Sequence, residues 1–347
     1  MGGKRLYLAQ TLHPLHNEFP AKRGKVQRLL QVIALAIGFA FPAFAEQSAF
    51  EAWRDSFKES AILQGISRET ADKVMGQAFE DVGVVHLDRK QPEGKISFTQ
   101  YRKNILSADR IQKGRALYQA HRDLLAKIST HYGVPAKIIV ALWGIETNYG
   151  GYTGNFNIIP SLATLAYEGR RAEFFQGELL AAMKMVEQGA DPYGLQGSWA
   201  GAMGQCQFMP SSFLKYAVDY DKDGRKDIWN SLPDVFASIA NYLKTEGWDN
   251  TLTWGRPVQM PSTITLSYET LYTPVKLSEF VKRGVRKADG SPLPARDINA
   301  YLMHPGTPDE GAFIVYQNYH VLLHWNKSRY FATSVGLLAD AIAQGSE

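Results

Sequence analysis

Apolar residues at helical spacing dominate the chain from Glu46 to about Thr251. Ser67 stands where it can cap a helix running to Phe79. Ile111, Leu117, Tyr118, Leu124, Leu125 and Ile128 keep a three-to-four spacing as far as Gly133. Pro135 opens the next helix, a place where its missing N–H costs nothing. Helical spacing returns over Ser161–Tyr167 and Ala172–Glu187, which Gly189 stops. A glycine-rich connection, DPYGLQGSWAGAMG, follows. Pro210 and Ser211 then begin another helix, and Ser231-Leu-Pro-Asp234 has the capping-box spacing for one ending near Gly247.

The pattern changes after Trp248. Residues 251–320 hold most of the period-two, β-branched stretches, broken by Pro and Gly. Ser262–Tyr268 and Phe313–Tyr316 are the strand candidates. A closing helix is expected from about Ser328 to Ile342. The fold class is therefore mainly α with a small β part (α+β). The expected units are a leader (1–45), a helical N-terminal unit closed by the C-terminal helix (46–131), a helical core (132–250), a small β-rich unit (251–320) and a C-terminal segment (321–347).

Composition excludes several classes. With 45% hydrophobic residues in 347, the chain can bury a sizeable core, which rules out disorder. Cys206 is the only cysteine, so no intramolecular disulfide can form. The net charge of +4 is carried by the leader, where six Lys and Arg face only Glu18, and the rest is close to neutral. A nucleic-acid partner would leave its basic footprint on the folded part, and none is expected. In the leader, the basic Lys22–Arg28, the apolar Leu29–Phe41 and Ala43-Phe44-Ala45 read as an export signal cleaved before Glu46. No lipid-attachment Cys follows, and the expected location is the periplasm.

Three stretches can carry chemistry. In YGVPAKIIVALWGIETNYGG, Ile139, Leu142, Trp143 and Glu146 share a face of the helix begun at Pro135. A carboxyl on an apolar stripe is costly when ionised, so its pKa should rise into the range of a general acid. The alternative is a helix-end Glu that turns to solvent or pairs with Arg. In GSWAGAMGQCQFMPSS, glycines permit close backbone approach, and Ser198, Gln205 and Gln207 offer neutral hydrogen-bonding groups. A tight helix connection would look the same. The stretch is neither a phosphate loop nor a G-x-S-x-G elbow, and Cys206 reads as a packed residue. In DYDKDG, Asp219, Asp221 and Asp223 with Gly224 match the front of a calcium loop, or else a solvated acidic turn. Position twelve is Asn230 where the EF-hand has Glu, so Asp227 or Asp234 would have to close a longer loop. The histidines show no H-E-x-x-H spacing, which gives metal-dependent hydrolysis no support.

Together with NIIPSLATLAYEGRRAEFF, ANYLKTEGW and HWNKSRYFATSVGLLADAI, these stretches resemble, in order and over nearly the whole chain after the leader, the membrane-bound lytic murein transglycosylase B family. That resemblance implies a lysozyme-like core at 132–250 and a lytic transglycosylase of peptidoglycan. It makes Glu146 the sole catalytic acid and base, with Ser198, Gln207, Tyr242, Asn326 and Tyr330 binding substrate. It also implies a structural Ca2+ on Asp219, Asp221, Asp223, a backbone carbonyl near Arg225, and Asp234. No cofactor is expected for catalysis. The bond cleaved would join N-acetylmuramic acid to N-acetylglucosamine, and the muramoyl 6-hydroxyl would close a 1,6-anhydro ring. Rival readings are a muramidase that uses water and a non-catalytic peptidoglycan-binding or scaffold protein. Expected partners are glycan strands, with cell-wall synthesis or division proteins as candidates for recruitment, and the chain is expected to act as a monomer.

Overall fold

The computed structural model describes residues 48–90 and 96–344, so the export signal read at 22–45 lies outside the described residues. Helices α1 (Ala49–Leu63), α2 (Arg68–Met75), α3 (Val82–Arg89), α4 (Phe98–Ile105) and α5 (Ala108–Ala120) each start after a Ser or Asp. Those side chains, from Ser48, Ser67, Asp81, Ser97 and Ser107, accept a backbone N–H of the first turn. Each such cap stabilises its helix by about 1 kcal/mol. The helix expected to run from Ser67 to Phe79 ends at Met75. The apolar run from Ile111 to Ile128 is two helices, α5 and α6 (Arg122–Tyr132), with the break at His121. There the His121 ring meets Trp143 and Phe236 edge-on at 6.4 and 5.8 Å.

The helix begun at Pro135, α7 (Ala136–Thr147), runs through the middle of the molecule. Every residue from Ile138 to Ile145 is buried. Behind it come β1 (Phe156–Asn157), α8 (Ile158–Glu168), α9 (Ala172–Glu187), β2 (Gln196–Gly197), α10 (Pro210–Tyr216) and α11 (Leu232–Thr245). The short β1–β2 ladder pairs Phe156 with Gly197 and anchors the glycine-rich loop.

The β-rich part contains β3 (Gly255–Gln259), β4 (Val275–Lys276), α12 (Leu277–Lys282), β5 (Arg286–Lys287), β6 (Asn299–Met303) and β7 (Ala312–Val315). The sheet is antiparallel, in the order β4-β6-β7-β3-β5. Val258, Leu277, Phe280, Leu302 and Ile314 form a small core of their own beside the main one. The strand expected over Ser262–Tyr268 does not form. Ile264 and Leu266 turn toward the small core while Thr263, Thr265 and Ser267 stay exposed, but no neighbouring strand supplies a ladder. Alternation alone does not make a strand.

Helix α13 (Gln317–Trp325) leads to α14 (Arg329–Ala343), capped by Ser328, and α14 returns to pack on α4, α5 and α7. Gly336 makes room for Trp254, since a Cβ there would lie 2.2 Å from the indole. Among the described residues no helix is long and apolar enough to cross a membrane.

Candidate active site

Glu146 lies in the last turn of α7, and the chain leaves that helix through a tight left-handed turn. Asn148, Tyr149 and Gly150 have φ of 53°, 61° and 77°. Two of these are not glycine, a cost of order 1–3 kcal/mol each that surrounding contacts must offset. The contacts are specific. Tyr149 folds back beneath α7, where its hydroxyl donates to Arg110 O at 2.9 Å. A Cβ on Gly144 would stand 2.5 Å from its ring, and one on Gly114 would stand 2.3 Å from its hydroxyl. Lys113 Nζ donates to Asn148 O at 3.0 Å, and Thr147 Oγ1 accepts from Gly150 N at 3.0 Å.

Gln205 ties this turn to the glycine-rich loop. Its Oε1 accepts from Trp143 Nε1 at 2.7 Å, and its Nε2 donates to Trp229 O at 2.8 Å. Glu146 is thus held by backbone and neutral side chains. As a residue Glu146 is half-buried, while Ile145 and Thr147 beside it are buried. Trp325 Nε1 at the end of α13 donates to Glu146 Oε1 at 2.6 Å. Burial pushes the Glu146 carboxyl up to about 8, against the opposing effect of the Trp325 hydrogen bond. Among the described residues no second carboxylate or cation acts on it.

Aromatic residues wall the site. Trp325 packs on Tyr242 at 4.6 Å and on Phe208 at 5.3 Å between ring centres. On the other flank Tyr330 packs on Tyr101 at 5.6 Å and Phe98 at 5.4 Å. Tyr101 is close enough for the Glu146 charge to help raise its hydroxyl pKa, after burial. Asn326 follows Trp325 directly, is buried, and accepts from Ser328 N at 3.0 Å. Ser198 is half-buried, and its Oγ accepts from Ala202 N at 3.1 Å.

Gln207 is placed differently from a free substrate contact. It is buried at φ 51°, and its Nε2 donates to Gly204 O at 2.9 Å and Thr153 O at 3.1 Å, bracing the loop from within. Trp325 and Tyr101 were not singled out in the sequence. Trp325 adjoins Asn326 in HWNKSRY, a signal that could have found it, whereas Tyr101 arrives from α4 with no local mark. Glu178 on α9 is also buried, and it caps the start of α10, accepting from Ser211 N at 2.9 Å and Ser211 Oγ at 2.7 Å.

The acidic loop brings carboxylate oxygens of Asp219, Asp221 and Asp223 within 4.8 Å of one another. Gly224 N donates to Asp219, and Arg225 N to Asp223, which folds the turn around them. Three hard oxygen donors in so small a space suit Ca2+. Asp234 stands beside this cluster, near enough to Asp221 for that carboxylate and its backbone N–H to act on it. Asp234 is fully buried, and its two oxygens accept from Tyr220 N at 2.7 Å and Asp227 N at 2.8 Å.

Residues 49–340 match the family described as transglycosylase SLT domain. Over 195 residues the chain is 37% identical to the membrane-bound lytic murein transglycosylase B of Escherichia coli K12, covering 53% of this chain and 54% of that protein. The chain thus spans about half the length of that curated relative. The fold is similar to SltB3 from Pseudomonas aeruginosa solved in complex with NAG-NAM-pentapeptide, with a TM-score of 0.80 and 42% identity over 86% of this chain and 80% of that one. SltB3 has also been solved with NAG-anhNAM-pentapeptide (TM-score 0.79, 41% identity, 86% and 80% covered). A third similar structure is the Escherichia coli lytic transglycosylase SLT35 in complex with calcium, at a TM-score of 0.72 and 30% identity over 84% of this chain and 93% of that one. With a family match over most of its length, the chain belongs to the transglycosylase SLT domain family.

Proposed function

We propose that the protein is a lytic transglycosylase cleaving the β-1,4 bond between N-acetylmuramic acid and N-acetylglucosamine in peptidoglycan, with Glu146 as acid and then base. The observation that carries this reading is one carboxyl, held up to about 8, at the foot of an aromatic-walled site with no second carboxylate acting on it. Most glycosidases need a pair of carboxyl groups to position or replace water. A reaction in which the sugar attacks itself does not. Neutral Glu146 donates its proton to the glycosidic oxygen as the bond to C1 breaks. The resulting carboxylate then takes the proton of the muramoyl 6-hydroxyl as that oxygen bonds to C1, giving a 1,6-anhydro sugar. The ligands held by SltB3, NAG-NAM-pentapeptide and NAG-anhNAM-pentapeptide, support the same substrate class.

Tyr242, Tyr330, Asn326 and Ser198 are read as groove residues that orient the glycan, while Gln207 shapes the groove by holding its floor. Ca2+ bound by Asp219, Asp221 and Asp223 would hold the loop that leads into α11, with the carbonyl near Arg225 and Asp234 read as further ligands. The calcium-bound SLT35 relative supports this. A periplasmic location, a cleaved leader, glycan strands as partners and a monomeric state belong to the same reading.

The test is Glu146→Gln, which keeps the shape but can neither give nor take a proton. Turnover on purified sacculi should fall by roughly 10²–10⁴-fold or more, while binding to sacculi persists. Retained turnover would remove Glu146 from the reaction.

A further inference from the structure

Trp325 reaches Glu146 from the far end of the chain and, among the described residues, supplies its one side-chain hydrogen bond, at 2.6 Å to Oε1. Resting on the reading of Glu146 as the acid, we propose that Trp325 is a positioning residue that decides which carboxyl oxygen carries the reacting proton. An indole N–H can donate and has no acceptor. The carbonyl oxygen of a neutral carboxyl accepts more strongly than its hydroxyl oxygen, so an N–H held on Oε1 favours the form of Glu146 with its proton on Oε2. When Oε2 gives that proton away, the bond from Trp325 becomes charge-assisted and shortens in effect, so it is stronger after transfer than before. That difference favours the transition state over the ground state.

The ring is held for this purpose. Tyr242 of α11 and Phe208 of the glycine-rich loop pack on it, and Tyr242 in turn packs on Tyr216 at 4.2 Å. The Tyr216 hydroxyl donates to Glu246, which also binds Lys215 and His324, the residue before Trp325. The other titratable groups facing Glu146 are Tyr101 of α4 and Cys206 of the loop, and burial holds both neutral. Neither replaces the indole as a donor in this structure.

Two replacements test the role. Benzothienylalanine at position 325 keeps the bicyclic shape and lacks the N–H, and Trp325→Phe keeps a smaller ring. The Glu146 carboxyl is followed by carbon-13 NMR across pH, and turnover is measured on purified glycan strands. Loss of the bond should raise the carboxyl pKa by about one to two pH units. It should also lower kcat about 10- to 100-fold with KM nearly unchanged. A merely structural ring would leave the carboxyl titration where it is. An unchanged titration with the isostere, or with Trp325→Phe should the isostere fail to fold, would overturn the positioning role alone. A wild type that cleaves no glycan would overturn both this role and the reading it rests on.

Discussion

A carboxyl that must be neutral to donate and charged to accept needs an environment that makes both forms reachable. At Glu146, burial favours the neutral form and the Trp325 N–H favours the charged one. The folded value, about 8, lies above the ordinary 4.5, so the fold prefers the protonated group. Its contribution to stability is therefore complete below about 4.5 and is lost as pH rises through 8. Glu146→Gln should be at least as stable as wild type, with a gap that widens across that window to on the order of 1–3 kcal/mol. Urea unfolding at pH 5 and pH 8 measures it, and an equal gap at both would contradict the burial. Turnover by wild type should decline above pH 8 for the same reason. The raised carboxyl of Glu146 was legible from its place among Ile139, Leu142 and Trp143, whereas its role as acid and base came from the family resemblance. The apolar surround is wider than that one face, since every residue of α7 from Ile138 to Ile145 is buried. Trp325 carried a signal only through its neighbour Asn326, and Tyr101 carried none, because no local spacing encodes a contact made across the fold.

At the scale of elements, the turn after α7 and the helices around it respond to small side chains in opposite ways. Gly144→Ala would drive a Cβ to 2.5 Å from the Tyr149 ring. It should cost about 1–3 kcal/mol and lower kcat, because the same turn carries Glu146. Gly177→Ala on α9 meets nothing within 4 Å and should stabilise by about 0.5–1 kcal/mol. Chemical unfolding of the two variants checks both signs. The acidic loop predicts a rise in Tm on adding calcium that Asp223→Ala abolishes. Identical melting curves with chelator and with calcium would refute the site. The helix starts at Ser67, Pro135, Pro210 and Ser231 were legible because capping is local chemistry, whereas those behind Ser48, Ser97 and Ser107 carry the same cap without having been singled out. The break at His121 depends on the distant Trp143 and Phe236. Strand β6 and helix α12 were missed for a related reason, since both are stabilised by the small core and not by their own pattern.

Across the whole molecule, the site exists only because the chain returns on itself. Trp325 from its last part reaches Glu146 from its middle, and α14 then packs against α7 and the N-terminal helices. Helical content and a small β part were legible from periodicity. The closure of the groove came only through the likeness of ordered segments to a known family. The central claim is that one carboxyl makes the sugar attack itself, and the products record this directly. Muropeptides released from purified sacculi by the wild-type protein should be analysed by mass spectrometry before and after borohydride. The account predicts fragments one water lighter than those of a hydrolase, with 1,6-anhydromuramic ends that borohydride leaves unchanged. Reducible muramic acid ends as the main product would contradict it and make the enzyme a water-using muramidase.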